Sequence, residues 1–179
     1  MIEAYKLNVF RCKLCGEAIL MSTKPTTCPF CGAHHDYVMD AENWKDENNV
    51  SNMTAISRGN LEKALQLETD NTQFYKCAKS YAQDPVIQAM FKSLSKVEAE
   101  HAEVISKILR KPKRDIGMID VCFRLDQENI RNSFKREEKA KEFYINAYNQ
   151  AIEPRVKELF FGLIEVEGDH VELIKHILQ

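Results

Sequence analysis

The chain has 179 residues, 44% of them hydrophobic, which is enough for one or two packed domains and too apolar for a disordered segment. Lys and Arg number 25 against 27 Asp and Glu, a net charge of −2, which excludes a nucleic-acid binder driven by bulk charge. No run approaches the ~20 apolar residues of a membrane span. Met1–Lys6 has no basic segment followed by an apolar one, so a soluble cytoplasmic protein without a secretory signal is expected.

The first segment, 1–45, is marked by four cysteines: Cys12-x2-Cys15, twelve residues, then Cys28-x2-Cys31. In a cytoplasmic chain this spacing predicts a metal site, not disulfides. Two residues between cysteines let both thiolates turn onto one ion, and two such knuckles complete a tetrahedron. Gly16 and Gly32 follow the second cysteine of each pair and permit the tight turn that aims backbone N–H groups at sulfur. Phe10, Phe30, Tyr37 and Trp44 can form a small apolar shell, and so short a domain needs its metal for stability. His34 and His35 are expected to be exposed loop residues, and Cys77 a packing residue in a helix. Residues from about 38 to 52 are expected to serve as a linker.

The remainder is an internal repeat. Residues 60–109 laid over 129–178, without a gap, give 16 identities in 50 positions, which marks a duplicated unit. Asp84-Pro85 and Glu153-Pro154 break each unit into two helices. Four helices are predicted, near 54–82, 85–110, 120–151 and 154–178, each roughly 35–45 Å long at ~1.5 Å per residue. They form a four-helix bundle over 53–179. A two-fold relation between the units makes the second and third helices parallel, so the stretch from Lys111 to Gly117 must cross the bundle lengthwise. The basic run Arg110–Arg114 is expected to be a solvated part of that crossover.

The core stripe carries the chemistry. The second helix presents Phe91, Leu94, Glu98, His101, Ile105 and Ile108 at alternating spacings of three and four. The fourth repeats it with Phe160, Leu163, Glu167, His170, Ile174 and Ile177. The first adds Leu65, Glu68 and Tyr75, the third Phe134, Glu137 and Tyr144. Four carboxylates therefore point into one layer, where each uncompensated charge is several kcal/mol unfavourable. Two divalent ions neutralise the four negative charges. One Glu from each of two helices plus Glu-x-x-His from each of the others is the ligand set of di-iron carboxylate bundles. Glu62, Glu100, Glu103, Glu138, Glu142 and Glu172 fall off the stripe and are expected on solvated faces.

The motif Cys12-Lys13-Leu14-Cys15-Gly16 with Cys28-Pro29-Phe30-Cys31-Gly32 is similar to rubredoxin-type modules. These usually carry an aromatic where Glu17-Ala18-Ile19-Leu20 stands, so iron and a plain zinc ribbon both remain open. Together the two parts resemble the rubrerythrin family, with its ferritin-like di-iron bundle and rubredoxin-like domain, here in reversed order. The resemblance implies two iron ions in the bundle, with manganese or zinc tolerated, and one iron or zinc on the four cysteines. Glu68 and His101 would serve one ion, Glu137 and His170 the other. Glu98 and Glu167 would bridge, and Tyr75 and Tyr144 would donate hydrogen bonds to ligands. It further implies reduction of hydrogen peroxide to water, with electrons from a reductase or rubredoxin-type donor entering through the four-cysteine iron, and a homodimer or higher oligomer. Ala140 stands where the family usually has a further Glu, with Asn71 at the equivalent place on the first helix. That departure keeps a dioxygen-reducing or ferroxidase activity open. A zinc-ribbon interaction protein with little turnover is the third possibility.

Overall fold

A computed structural model describes residues 6–113 and 115–179. Met1–Tyr5 and Arg114, which belonged to the readings of the N-terminus and the basic run, lie outside the described residues.

Strands β1 (Asn8–Cys12), β2 (Ala18–Met21) and β3 (Val38–Asp40) form an antiparallel sheet in the order β2-β1-β3. Its side chains alternate, as a half-buried sheet requires: Phe10, Cys12, Ile19 and Val38 point inward, while Val9 and Leu20 are exposed. Tyr37 joins the buried set, but Phe30 is 40% exposed and does not belong to the shell predicted for it. It sits at the tip of the second cysteine knuckle, outside the sheet. Trp44 instead lies under the Arg11 guanidinium, 3.6 Å from ring centroid to carbon.

Four helices follow: α1 (Ala55–Tyr81), α2 (Pro85–Ile108), α3 (Asp126–Gln150) and α4 (Pro154–Leu178). Thr54 caps α1 by accepting from the Ser57 N–H, and Asp84 caps α2 by accepting from Val86 and Ile87. Glu153 precedes α4 at the matching place but does not cap it. Its carboxylate reaches back to α1, accepting from the Thr54 N–H at 2.6 Å and the Ser57 hydroxyl at 2.5 Å. Asn60 bonds Gln150, and the Gln83 N–H bonds Asp126, so α1 and α3 are antiparallel. Each is also hairpin-paired with the helix that follows it, which leaves α2 and α3 parallel, as the repeat requires. The repeat extends to aromatic geometry. Phe74 and Tyr75 have ring centroids 5.3 Å apart, Phe143 and Tyr144 5.4 Å.

Two sequence expectations are corrected in the crossover, residues 109–125. The third helix starts at Asp126 and not near 120, because the Asn129 side chain bonds both N–H and C=O of Phe123 and keeps that stretch out of the helix. Cys77 is not a free packing residue: it is disulfide-bonded to Cys122, 45 positions away. The crossover carries Cys122 back over α1, a meeting that no periodicity or spacing signals.

The cysteine segment packs on the bundle of its own chain. Leu14 sits against Gly162 of α4 so closely that a Cβ there would lie 2.7 Å from Leu14 Cδ1. Arg155, buried, donates to the Leu14 carbonyl at 2.6 Å, and Lys13 pairs with Glu158. His34 is not a free loop residue. It is half-buried and bonds Asp169 of α4 at 2.7 Å, which raises its pKa above the ordinary imidazole value. His35 is exposed beside Asp36. Among the described residues no helix is long and apolar enough to cross a membrane.

Candidate metal centres

Gly16 and Gly32 adopt positive φ, +85° and +77°, the left-handed turn that other residues resist. Their N–H groups do not aim at sulfur. They close the knuckles by bonding the carbonyls of Cys12 and Cys28, at 2.8 and 3.0 Å. The turns bring Cys12 and Cys31 Sγ to 3.7 Å, and Cys15 and Cys28 Sγ to 3.8 Å, all four buried. A tetrahedron with metal–sulfur bonds of 2.3 Å has edges of about 3.8 Å, so the four sulfurs fit one zinc or iron ion. Hydrogen bonds among them already pull Cys12 and Cys28 toward the thiolate while raising Cys15 and Cys31.

The second cluster lies mid-bundle. Glu68 comes from α1, Glu98 and His101 from α2, Glu137 from α3, and Glu167 and His170 from α4. The i, i+3 spacing puts Glu and His of one helix on one face. They form two sets that share Glu98 and Glu167: one with Glu68 and His101, the other with Glu137 and His170, each with ligand atoms within 4.8 Å of one another. His101 Nδ1 is 3.5 Å from both Glu98 and Glu167 and 3.7 Å from Glu68. His170 Nδ1 is 3.1 to 3.5 Å from Glu167, Glu98 and Glu137. All four carboxylates are fully buried.

The donor atoms are left open toward this centre. Glu68 Oε2, both oxygens of Glu98, His101 Nδ1, Glu137 Oε2 and Glu167 Oε1 have no hydrogen-bond partner among the described residues. Buried polar atoms left this way are destabilising by about 1–3 kcal/mol each, more when charged. Six of them converging on one space fit two divalent cations. The electrostatics agree. Burial, then the charge of Glu98, pushes the Glu68 carboxyl well up, and burial with the charge of Glu167 does the same to Glu137. Burial also opposes ionisation of Glu98 and Glu167, but the nearby carboxyls and imidazoles outweigh it and hold both below the usual range. His101 and His170 are raised against the effect of burial by the same carboxylates.

The imidazoles differ on their outer edges. His101 Nε2 lies 2.9 Å from the carbonyl oxygen of Cys31. A carbonyl only accepts, so Nε2 carries a proton and Nδ1 is the ring nitrogen that faces the carboxylates and would bind an ion. Among the described residues His170 meets no such cover, and it is 8% exposed. Tyr75 donates to Glu137 and Tyr144 to Glu68, each across to the other repeat. Ala140 is fully buried, and Asn71 is held by Arg136. Of the off-stripe acids, Glu62, Glu138, Glu142 and Glu172 are exposed, but Glu100 and Glu103 are half-buried. Glu103 pairs with Lys107 and Lys113 of the helix end and crossover.

Sequence reasoning missed the Cys31–His101 contact, Arg155, Arg136 and the disulfide, all of which depend on how distant segments dock. No curated protein matches the chain. A family model described as Rubrerythrin matches residues 59–178, well over half of the chain and all six residues of the mid-bundle cluster. The chain belongs to the rubrerythrin family.

Proposed function

We propose that this protein is a non-haem di-iron oxidoreductase that reduces hydrogen peroxide to water with electrons passed from the four-cysteine segment to the bundle. The observation that carries the reading is the contact between Cys31 and His101. It joins a residue of the four-sulfur cluster to an imidazole of the carboxylate cluster by one hydrogen bond. Two ions in the bundle would supply the two electrons that O–O cleavage consumes. The chain's residues do the rest. Glu98 and Glu167 would hold both ions, with Glu68 and His101 on one and Glu137 and His170 on the other. Tyr75 and Tyr144 fix the outer carboxylates in position. Phe91, Phe160 and their neighbours keep bulk water from the centre. A reductase that docks on the four-cysteine segment is the proposed electron source.

Dioxygen reduction is the second reading, favoured by Ala140. A buried methyl group supplies no additional carboxylate, so the ligand set stays symmetric. The test loads the full chain with ferrous iron and follows the four-thiolate absorption and peroxide consumption in stopped flow. Peroxide faster than dioxygen, with reductase-driven turnover lost when zinc replaces iron on the four cysteines, is expected. Faster oxidation by dioxygen would transfer the assignment to the second reading. Normal turnover with zinc there would remove the four-cysteine segment from the electron path.

A further inference from the structure

Helices α1 and α3 leave between them a groove of about 720 Å³, rimmed by the crossover at Ile119 and Val121. Its lining is strongly one-signed. Lys63, Lys135, Arg136 and Lys139 line it against a single acid, Asp70. Arg136 is the centre of the arrangement. It is half-buried and lies over the Phe74 ring at 4.3 Å. Its Nε donates to Asn132 Oδ1 at 2.9 Å, and one terminal nitrogen donates to Asn71 Oδ1 at 3.1 Å. Among the described residues no carboxylate lies within ion-pair distance of it. Partial burial of a guanidinium without a counter-charge is unfavourable, yet an aromatic face and two amides orient this one. Asn71 adds a second open donor. It is 2% exposed and lines the same groove, and its Nδ2 has no acceptor among the described residues.

We propose that this groove binds a small oxyanion, a carboxylate or a phosphate, on the Arg136 fork. A guanidinium held in plane presents two parallel N–H groups that match two oxygens of such a group. The Asn71 amide supplies a further donor at the groove floor, and the three lysines supply point charges around the rim. Neutral oxidants such as peroxide and dioxygen need none of this, so the site is separate from the redox reading and does not rest on it. Its placement is still consequential. Asn71 follows Glu68 by one helical turn and Arg136 immediately precedes Glu137, so the anion would lie beside the metal centre.

The test is calorimetric titration of the full-length, zinc-loaded protein with inorganic phosphate and, separately, with succinate, each against sodium chloride at equal ionic strength. Saturable binding of either anion at one per chain is expected, and the one that binds names the class. Arg136→Gln should weaken it by at least about tenfold, Arg136→Lys by less, because charge remains while the fork is lost. Lys139→Gln should weaken it by about twofold to threefold, and Lys24→Gln, on the cysteine segment, not at all. Arg136→Lys keeps the experiment decisive if Arg136→Gln loses its helical circular dichroism. The proposal is overturned if neither anion binds beyond chloride. It is equally overturned if binding is unchanged in the Arg136 and Lys139 variants, since the anion would then be sitting on the metals.

Discussion

Tyr75, on the first repeat, donates its hydroxyl to Glu137 on the second, and Tyr144 returns the bond to Glu68. Each repeat therefore orients the carboxylate of the other. Tyr75→Phe should weaken the ion served by Glu137 and His170, and Tyr144→Phe the ion served by Glu68 and His101. A loss of about 10–100-fold in affinity is expected for that ion alone. Competitive titration with a chelating dye reads the two steps. Equal weakening of both ions by either variant would contradict the crossed assignment.

Glu98 and Glu167 each belong to both ligand sets. Glu98→Ala or Glu167→Ala should abolish loading of the bundle and leave the four-thiolate metal in place. Elemental analysis of the purified variants checks this, and two bundle ions remaining per chain would refute bridging.

Protons and metals compete for the centre. The His101 and His170 pKa values are raised by the surrounding carboxylates despite burial, and burial raises Glu68 and Glu137. The metal-free site therefore holds protons more tightly than free carboxyls and imidazoles do, and ions must displace them. Metal affinity should fall as pH falls, and loading should release protons. Calorimetry of loading in buffers of different ionisation enthalpy measures the release.

Glu153 ties the start of α1 to the start of α4. Burial disfavours its charge, but hydrogen bonds from Ser57 and Thr54 outweigh that and hold its pKa at about 2. A depressed folded-state value adds stability that is fully present above the unfolded carboxyl pKa and is lost as pH falls through the folded one. Glu153→Ala should lower stability at neutral pH by about 1–3 kcal/mol, with the deficit shrinking toward pH 2. Urea melts of both proteins across that range are the measurement.

The Cys77–Cys122 bond closes a 45-residue span. The chain-entropy estimate for such a loop is about 4 kcal/mol. Cys122→Ser should lower the thermal midpoint and speed hydrogen exchange in 115–125, leaving both metal clusters loaded.

Much of the bundle was legible because a repeat doubles every signal. Glu98-x-x-His101 alone is a common surface pair, but its copy at Glu167 and His170, on the same apolar stripe, left little freedom. The four cysteines were legible because their ligand geometry is local. What the sequence hid was docking. Gly162 is no more informative in sequence than any helical glycine, and only the approach of Leu14 explains it. Cys77 and Cys122 have no pattern around them, and Asn129 delays α3 through a bond no propensity encodes. Arg136 reads as one more charge on a polar helix until Phe74 and Asn71 are seen beside it.

Duplication builds a centre with no front or back, since every residue of one ligand set has a twin in the other. The Cys31 carbonyl covers His101, and among the described residues nothing equivalent covers His170. One imidazole of a palindromic centre thus touches the four-cysteine segment, and its twin, among the described residues, makes no such bond. A ligand arrangement that duplication made reversible has acquired two distinguishable sides.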